Sequence, residues 1–449
     1  MNKIIYIIIL LSIIQSCKMG KDFEKPVYNG PSKFNISTSN NDSTTNIKWW
    51  NLIDDTVLDT LIKTAINNNN DVRIAAERIK ISQANIGYTY ADMLPNIGFS
   101  TNISISGLSG NTTSSFSAFP QLNWEIGFWG KYRRLNEAAQ ADLLSSIYAK
   151  KTVQLSLISA VATTYFTISA NKEQLKITKQ TLASRDSALR IMRDKYEGGL
   201  ISLMDFNQAK IQRDIAATKI PKYERAIKIN KNTLNILIGQ FPQDLKYGIP
   251  FEKQKYELNI PSGIPSELLK RRPDILQSEE IYHSKTANVG VAEAIRFPTL
   301  NLTGLLGVAS TDLSSLNTFG LGWSAGANVL SPIFQFGKNK KRVEMAQNEA
   351  NIALINYEKN VQQAFREVED AFIKIETYKK ELISMESQTK TAIESEELSN
   401  IRYNEGSTTY LEVLEQQRQS FSAQLELLST KLNLLNSYIL LYKALGGGW

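Results

Sequence analysis

The sequence predicts an α+β membrane protein whose protomer contains two copies of one structural unit. Two observations lead to this fold class. Residues 131–197 and 338–405 contain neither Gly nor Pro, so at 1.5 Å per residue each run can form a helix about 100 Å long. Segments in which apolar and small polar residues alternate precede both runs, and this period of two is typical of β-strands.

Landmark residues recur along the chain at nearly constant spacing. Gly87 and Pro95 recur as Gly290 and Pro298, at an offset of 203. Later landmarks recur at an offset of 207: Gly130, Tyr196, Gly199, Asp205 and Gly239 correspond to Gly337, Tyr403, Gly406, Glu412 and Gly446. This spacing indicates an internal duplication, and two copies are too few for a solenoid. We therefore expect a first repeat over 61–240, a linker over 241–265 and a second repeat over 266–449.

The N-terminus is predicted to be a signal peptide over 1–16. Its apolar stretch, Ile4–Ile14, is too short for a transmembrane helix. Cys17 is the single cysteine of the chain, and with the small residue Ser16 before it the segment resembles a bacterial lipobox. We therefore predict lipidation at Cys17, with 17–60 as the lipidated N-terminal segment; a lone buried thiol is the alternative. No later apolar run approaches about 18 residues, so no transmembrane helix is expected.

The net charge of +7 does not indicate nucleic-acid binding, because Lys and Arg are interleaved with Asp and Glu on the predicted helices. Two basic clusters, Lys131–Arg134 and Lys338–Arg342, open the long helices, where the helix dipole disfavours cations. Anionic lipid headgroups are one candidate neighbour for these clusters, and a plain solvated helix start is the alternative.

Four strands are predicted, two before each long helix: 96–106 and 116–126 in the first repeat, 300–308 and 319–330 in the second. The first has the clearest alternation, with Ile97, Phe99, Ile103 and Ile105 on one face, and its 11 residues match the length of a tilted membrane strand. Aromatic residues gather where the strands lead into the long helices, as at a bilayer interface. They are Trp124, Phe128, Trp129, Phe334 and Phe336.

The number of strands sets a condition on assembly. Four strands cannot close a membrane barrel, and lipid does not tolerate open strand edges. If these strands enter a membrane, several protomers must therefore share one barrel. A soluble sandwich with one wet face is the alternative.

Each long helix is predicted to fold back on a partner, giving helical hairpins over 131–239 and 338–445. Tyr196 and Gly199 mark the tip of the first hairpin, and Tyr403 and Gly406 mark the tip of the second. Apolar residues at intervals of seven in the first long helix predict coiled-coil packing. Pro221 predicts an interruption of the first return helix.

The sequence carries no recognisable catalytic motif: it lacks a phosphate-binding glycine loop, a nucleophile elbow and an HExxH pair. Its single histidine, His283, lies on a predicted helix without a cysteine nearby. We therefore expect no enzymatic activity, no cofactor and no metal site.

Several segments, taken in order, resemble the outer-membrane efflux protein family of TolC/OprM-like channels, in its lipidated branch. Cys17–Pro26 resembles the lipidated start of that branch, and Arg271–Ile275 the start of its second half. Tyr410–Leu414 and Tyr442–Trp449 resemble its closing segments. The resemblance covers essentially the whole chain, and the order of the segments makes it specific.

The resemblance implies a homotrimer in which four strands per protomer form a twelve-stranded β-barrel in the bacterial outer membrane. The barrel would continue into a long periplasmic α-helical coiled-coil barrel, with 17–60 and 241–265 as an equatorial belt. The implied function is the outer-membrane channel of a tripartite efflux system. It would receive drugs, toxic compounds or metal ions from an inner-membrane RND-type pump through a periplasmic adaptor. A duct for type I protein secretion and a non-conducting lipid-anchored coiled-coil scaffold are the alternatives.

The resemblance also places a periplasmic gate just beyond the hairpin tips. Glu412 and Glu415 match acidic residues that line the closed entrance in the family, and Asp205 is the first-repeat counterpart of Glu412. A trimer would present the carboxylates of Asp205 and Glu412 at one level, where they would attract cations. Acids that only stabilise helix N-termini are the alternative.

Overall fold

The two runs without Gly or Pro form the two longest helices of the protein in a computed structural model. The structure describes residues 18–26, 53, 55–108, 111–256, 269–312 and 321–447. The predicted signal peptide, Cys17, most of the segment 17–60 and residues 257–265 of the linker lie outside these ranges.

The same series of elements occurs twice. After helix α1 (Thr56–Asn68), the first series is α2 (Asn70–Ala91), β1 (Asn96–Leu108), β2 (Asn111–Ile126), α3 (Lys131–Glu197) and α4 (Leu203–Leu237). The second is α5 (Pro273–Ala294), β3 (Thr299–Ser310), β4 (Gly322–Leu330), α6 (Lys338–Asn404) and α7 (Tyr410–Ala444). Corresponding helices have equal lengths of 22, 67 and 35 residues, which reveals the duplication directly.

Several elements differ from the sequence prediction: β1 and β3 extend to Leu108 and Ser310, and β4 begins at Gly322 rather than at 319. Strand β2 begins at Asn111 rather than at 116, because the antiparallel pairing with β1 extends through Thr113 to the turn. Helix α4 is continuous through Pro221, where an interruption was expected. A proline removes one helical hydrogen bond, and here this loss does not end the helix.

The chain forms two compact units, of which unit 1 lies within Met1–Tyr28, Ala76–Ala149 and Asp274–Asn360. Its sheet has the order β1-β2-β3-β4, with every neighbouring pair antiparallel. The repeats join at the centre of the sheet, where Ile126 of β2 pairs with Leu300 of β3. Strands β1 and β4 are therefore the edges, and among the described residues each has a strand partner on one side only. Apolar side chains on both edges are exposed, including Phe99 and Trp323.

Unit 2 lies within Asn29–Ala75, Lys150–Pro273 and Val361–Trp449 and contains most of the hydrophobic core. Val161 and Ile168 of α3, two of the residues predicted at intervals of seven, are fully buried. They belong to one cluster with Leu434 and Ile439 of α7. Around Val161 and Ile168, the face predicted to form a coiled coil is thus a core face, whereas Tyr196 at the end of the same series is exposed.

One helix of the described residues, α3, has the length and composition of a membrane span, whereas the sequence was expected to contain none. Its most apolar stretch of 18 residues has a mean hydropathy of 1.3. More than half of that stretch is buried inside the protein, as it is in the core helix of a soluble protein, so this match is weak evidence for a membrane helix.

Asp55 connects three segments of unit 2. It is 2% exposed, and its Oδ1 caps α1 by accepting hydrogen bonds from the backbone N–H groups of Val57 and Leu58. Its Oδ2 accepts from the Tyr165 hydroxyl of α3 at 2.7 Å and from the Gln254 amide of the linker at 3.3 Å. A buried carboxylate is tolerated because these donors replace its hydration.

We predict that Tyr165→Phe lowers the free energy of unfolding by about 1–3 kcal/mol, because it leaves buried polar groups unsatisfied. The Tyr165 hydroxyl donates to Asp55 and accepts from the backbone N–H of Gly248 at 3.0 Å, and the substitution removes both bonds. Denaturant unfolding of the purified protein measures the change. Tyr88→Phe is the control, since Tyr88 is 69% exposed. Equal stability of the two variants would contradict the prediction.

Candidate functional site

Both helical hairpins end in the same type of turn. Gly199 has φ of 71° and Gly406 has φ of 72°, a left-handed conformation that glycine adopts without steric cost. The N–H of Gly199 donates to the carbonyl of Tyr196, and the N–H of Leu200 donates to that of Lys195. The bonds of the second turn repeat this pattern, which is that of a Schellman motif. The structure therefore places the four predicted tip residues in two equivalent turns.

The two turns are also linked to each other. The ammonium of Lys195, at the end of α3, donates to the hydroxyl of Tyr403, at the end of α6, over 2.8 Å. Tyr196 stacks on Phe206 of α4, with ring centroids 5.7 Å apart, and Tyr403 packs against Tyr410 of α7 at 5.2 Å. Each tip tyrosine thus fixes the turn to the return helix that follows it.

Asp205 forms part of the start of α4. Its Oδ2 accepts hydrogen bonds from the N–H and the hydroxyl of Ser202, while the Ser202 hydroxyl oxygen accepts from the N–H of Asp205. This reciprocal arrangement is a capping box. The geometry therefore gives Asp205 a structural role at the helix start, in agreement with the alternative that this acid stabilises a helix N-terminus.

Glu412 lies in the first turn of α7 and is held by residues on both sides of the second hairpin turn. Arg402, at the end of α6, donates to its Oε1 over 2.7 Å, and the Thr408 hydroxyl donates to its Oε2. The carboxylate of Glu412 and the guanidinium of Arg402 are both partly exposed to solvent. Glu412 consequently closes the second turn by an ion pair.

Glu415 follows on the same side of α7, since residues three apart are neighbours on a helix. Arg418 donates to both of its oxygens, at 2.6 and 2.8 Å, and the Gln419 amide donates at 2.8 Å. These hydrogen bonds, first that from Arg418, lower the pKa of Glu415 to about 2. Glu415 also lines a cavity of about 170 Å³ with its first-repeat counterpart, Gln208.

The two arginines that pair with Glu412 and Glu415 were not predicted from the sequence. Arg418 is detectable in principle, because an arginine three residues after a glutamate on a helix predicts an ion pair. Arg402 is ten residues from Glu412, and the pair forms only because the turn brings α6 and α7 together. Glu412 and Glu415 are therefore each paired with a cation of their own chain.

The part of the chain that the structure describes contains no group of three or more His, Cys, Asp or Glu side chains placed to hold a metal ion. His283 instead accepts or donates a hydrogen bond with Glu280 at 3.2 Å, and its ring stacks on Phe23. Phe23 belongs to the described segment 18–26. This segment follows Cys17, the predicted lipidation site, which lies outside the described residues.

Comparison with known proteins identifies the family. The family model described as "Outer membrane efflux protein" matches residues 61–240 and 264–447. The chain belongs to the outer membrane efflux protein family. The resemblance found in the sequence is thereby confirmed, and the family consists of channel proteins of the bacterial outer membrane.

Three similar proteins illustrate the relationship. The probable efflux pump outer membrane protein TtgC of Pseudomonas putida is 32% identical over 412 residues, which cover 89% of this chain and 85% of TtgC. The probable outer membrane lipoprotein SilC of Salmonella typhimurium is 29% identical over 451 residues, covering 97% of each chain. The open state of the Neisseria gonorrhoeae MtrE outer membrane channel superposes with a TM-score of 0.88 at 29% identity, covering 96% of this chain and 98% of MtrE.

These similarities confirm the predicted fold class at the level of the protomer: an internally duplicated chain with four strands and two long helical hairpins. They also establish the coarse function, an efflux channel of the outer membrane.

We predict that Arg418→Gln raises the pKa of Glu415 from about 2 toward its ordinary value of 4.5. The folded-state pKa is depressed, so the stabilisation from the ionised pair is complete above the unfolded pKa and is lost as the pH falls toward 2. Its contribution is small, because solvent screens an exposed pair. In the variant, the pH of protonation should rise toward 4.5 but stay below it, because the hydrogen bond from Gln419 remains.

Carbon NMR of labelled glutamate carboxyl groups follows this titration, and Glu415→Gln identifies the signal. Arg418→Lys is the matched control, because it retains a cation three residues from the carboxylate. An unchanged titration of Glu415 in Arg418→Gln would show that the arginine does not hold the pKa down.

Proposed function

We propose that this protein is the outer-membrane channel of a tripartite efflux system and works as a homotrimer. The observation that carries the proposal is the four-stranded sheet. Within the described part of the chain, its edge strands β1 and β4 have a strand partner on one side only, and they expose apolar side chains. Unpaired backbone groups are not tolerated in lipid. Three copies, joined β4 to β1, would close a barrel of twelve strands without an open edge.

Two alternatives to an efflux channel have less support. A non-conducting lipid-anchored scaffold would explain the long helices, but it gives no role to exposed alternating strands at matching places in both repeats. A duct for type I protein secretion needs the same channel architecture. The similarity to TtgC, which is named as a probable efflux pump component, favours small molecules such as drugs, toxic compounds or metal ions as the cargo.

The proposed partners follow from this role. A passive duct in the outer membrane has no energy source of its own, so an inner-membrane RND-type pump would drive transport. A periplasmic adaptor would connect that pump to the hairpin turns around Gly199 and Gly406. Cys17 is proposed to carry acyl chains in the lipid of the outer membrane, and the similarity to SilC, named as a probable lipoprotein, supports this role.

The gate is proposed to lie beside the hairpin turns, with Glu412 and Glu415 lining its constriction. Both carboxylates are partly exposed and lie one helical turn apart on α7. Asp205 would contribute its second oxygen at a similar level, since its capping bonds use only Oδ2. In a trimer, rings of these acids would favour cations over anions.

The trimer is tested by mass photometry of the full-length protein in nanodiscs. We expect particles with the mass of three processed chains, because closing the barrel pairs every edge backbone group. A membrane-inserted monomer that remains stable after dilution would rule out a shared barrel, and with it this account of how the strands enter lipid.

The gate is tested by ion selectivity in planar bilayers. We predict that Glu412→Gln combined with Glu415→Gln reduces the preference for cations, because the substitutions remove charge from the constriction without changing its shape. Glu397→Gln is the control, since Glu397 is an exposed acid of α6 outside the turns. A double variant that is trimeric and retains the full cation preference would exclude these carboxylates from the constriction.

A further inference from the structure

The segment 18–26 is held by one buried arginine of the first repeat. Arg134, in the first turn of α3, is 1% exposed. Its Nε donates to the carbonyl of Met19 at 2.9 Å, and its Nη2 donates to the carbonyls of Gly20 and Lys21 at 2.7 and 3.0 Å. Its Nη1 donates to Glu137. One planar guanidinium thus binds three successive backbone carbonyls, a geometry that an ammonium group cannot reproduce.

The second repeat supplies the other side of the same site, on helix α5. Gly20 has φ of 84° and lies against Gly290 so closely that a Cβ on Gly20 would be 2.6 Å from the Gly290 Cα. Phe23 stacks on His283 with ring centroids 4.3 Å apart, and Lys25 pairs with Glu279 at 2.7 Å. The segment therefore contacts helices of both repeats within unit 1.

The internal duplication shows that this site is specialised. The counterparts of Arg134 and Glu137 in the second repeat are Lys341 and Glu344, which also form an ion pair. That pair is exposed, with Lys341 at 71%, and binds no further segment of the described chain in the way that Arg134 does. Both repeats thus contain this helix start. Among the described residues, only the first repeat has an arginine there that another segment covers.

The glycines differ in the same way. A Cβ on Gly290 would lie 2.8 Å from both the Arg134 Nε and the Met19 carbonyl oxygen, which is closer than real contacts allow. A Cβ on Gly87, its first-repeat counterpart, would meet nothing within 4 Å. Of these two corresponding glycines, only Gly290, which lies beneath the segment 18–26, has no room for a side chain.

The site lies where the strands meet the helices. The N–H of Met19 donates to the carbonyl of Trp129 at 3.2 Å, and Trp129 follows the end of β2. The Trp129 indole donates to the carbonyl of Pro298 at 2.7 Å, just before β3 begins. Cys17 is two residues before Met19, so its Cα can be at most about 7 Å from that of Met19. Docking of the segment 18–26 would therefore hold the proposed acylation site near the base of the strands.

We propose that Arg134 and Gly290 form a docking site for the protein's own N-terminal segment, and that this site fixes where the membrane anchor enters lipid. Arg134 is the positioning residue, and Gly290 provides the space for the chain. Because the site takes one face from each repeat, the docked segment also clasps the two repeats at the strand base. The anchor part of the proposal rests on the proposed acylation of Cys17; the docking itself does not.

Trypsin sensitivity of the full-length protein in detergent tests the docking. Lys18 and Lys21 are cleavage sites within the segment, whereas the bond after Lys25 precedes Pro26 and resists trypsin. Docking protects the two sites because the neighbouring carbonyls are bound to Arg134. We expect cleavage there to become at least about tenfold faster in Gly290→Ala and in Arg134→Lys, as the undocked population rises. Gly87→Ala is the matched control and should be cleaved like the wild type.

Gly20→Ala tests the same site from the segment itself, so that a folding defect of the scaffold cannot explain the result. It should also accelerate cleavage by about tenfold or more, because a side chain clashes with Gly290 and the left-handed φ is strained. Wild-type cleavage rates in Gly20→Ala, or equal rates in Gly290→Ala and Gly87→Ala, would overturn the docking site.

Intact mass of the same samples separates this proposal from the acylation of Cys17. Faster cleavage in the variants together with an acylated wild-type N-terminus supports both parts. The same cleavage pattern with an unmodified Cys17 supports the docking site and overturns its role for an anchor. Acylated protein whose cleavage no variant changes overturns the docking site and leaves the acylation proposal intact.

Discussion

The unpaired edges of the sheet are the constraint on which the rest of the molecule depends. Strands β1 and β4 each have a partner on one side only in the described chain, and a backbone donor or acceptor without a partner costs several kcal/mol in hydrocarbon. The sheet can therefore exist in lipid only as part of a larger ring. The duplication contributes to such a ring, because two copies of the strand pair meet at β2 and β3 and supply four strands with every internal pair antiparallel.

Duplication supplies a scaffold, and function depends on where the copies differ. The turns at Gly199 and Gly406 retain the same bonds and the same left-handed glycine, since both must reverse a long helix. At Asp205 and Glu412, two acids in corresponding positions make different contacts: one caps a helix and the other pairs with an arginine. Arg134 and Lys341 differ still more, because only the first is covered by another segment. Divergence at such positions is best explained by a task performed once per protomer.

The sequence predicted the features that depend on local chemistry. Runs without Gly or Pro became helices of the expected length, and glycines at an offset of 207 became equivalent turns. Features that depend on remote contacts were missed. The early start of β2 depends on its pairing with β1. The burial of Arg134 depends on a segment more than 100 residues away. Neither feature is visible in the local sequence. The continuity of α4 through Pro221 was not predicted either. Proline is expected to interrupt a helix, but here the helix continues on both sides of it.

The acids near the turns cannot be treated as isolated charges. Glu412 and Glu415 each have an arginine within hydrogen-bonding distance, so these four side chains together carry no net charge. A cation that passes these two ion pairs would interact with two dipoles. Their effect depends on whether the glutamate or the arginine of each pair faces the path of the cation. Exposed ion pairs of this kind contribute only about 0–1 kcal/mol, which is comparable to thermal energy. A neighbouring chain that offers a competing charge can therefore redirect such a pair at little energetic cost, whereas the glycine turns and the Lys195–Tyr403 bond hold the backbone in place. At the proposed gate, selectivity would thus be set by the partners of these side chains, on a backbone that stays in place.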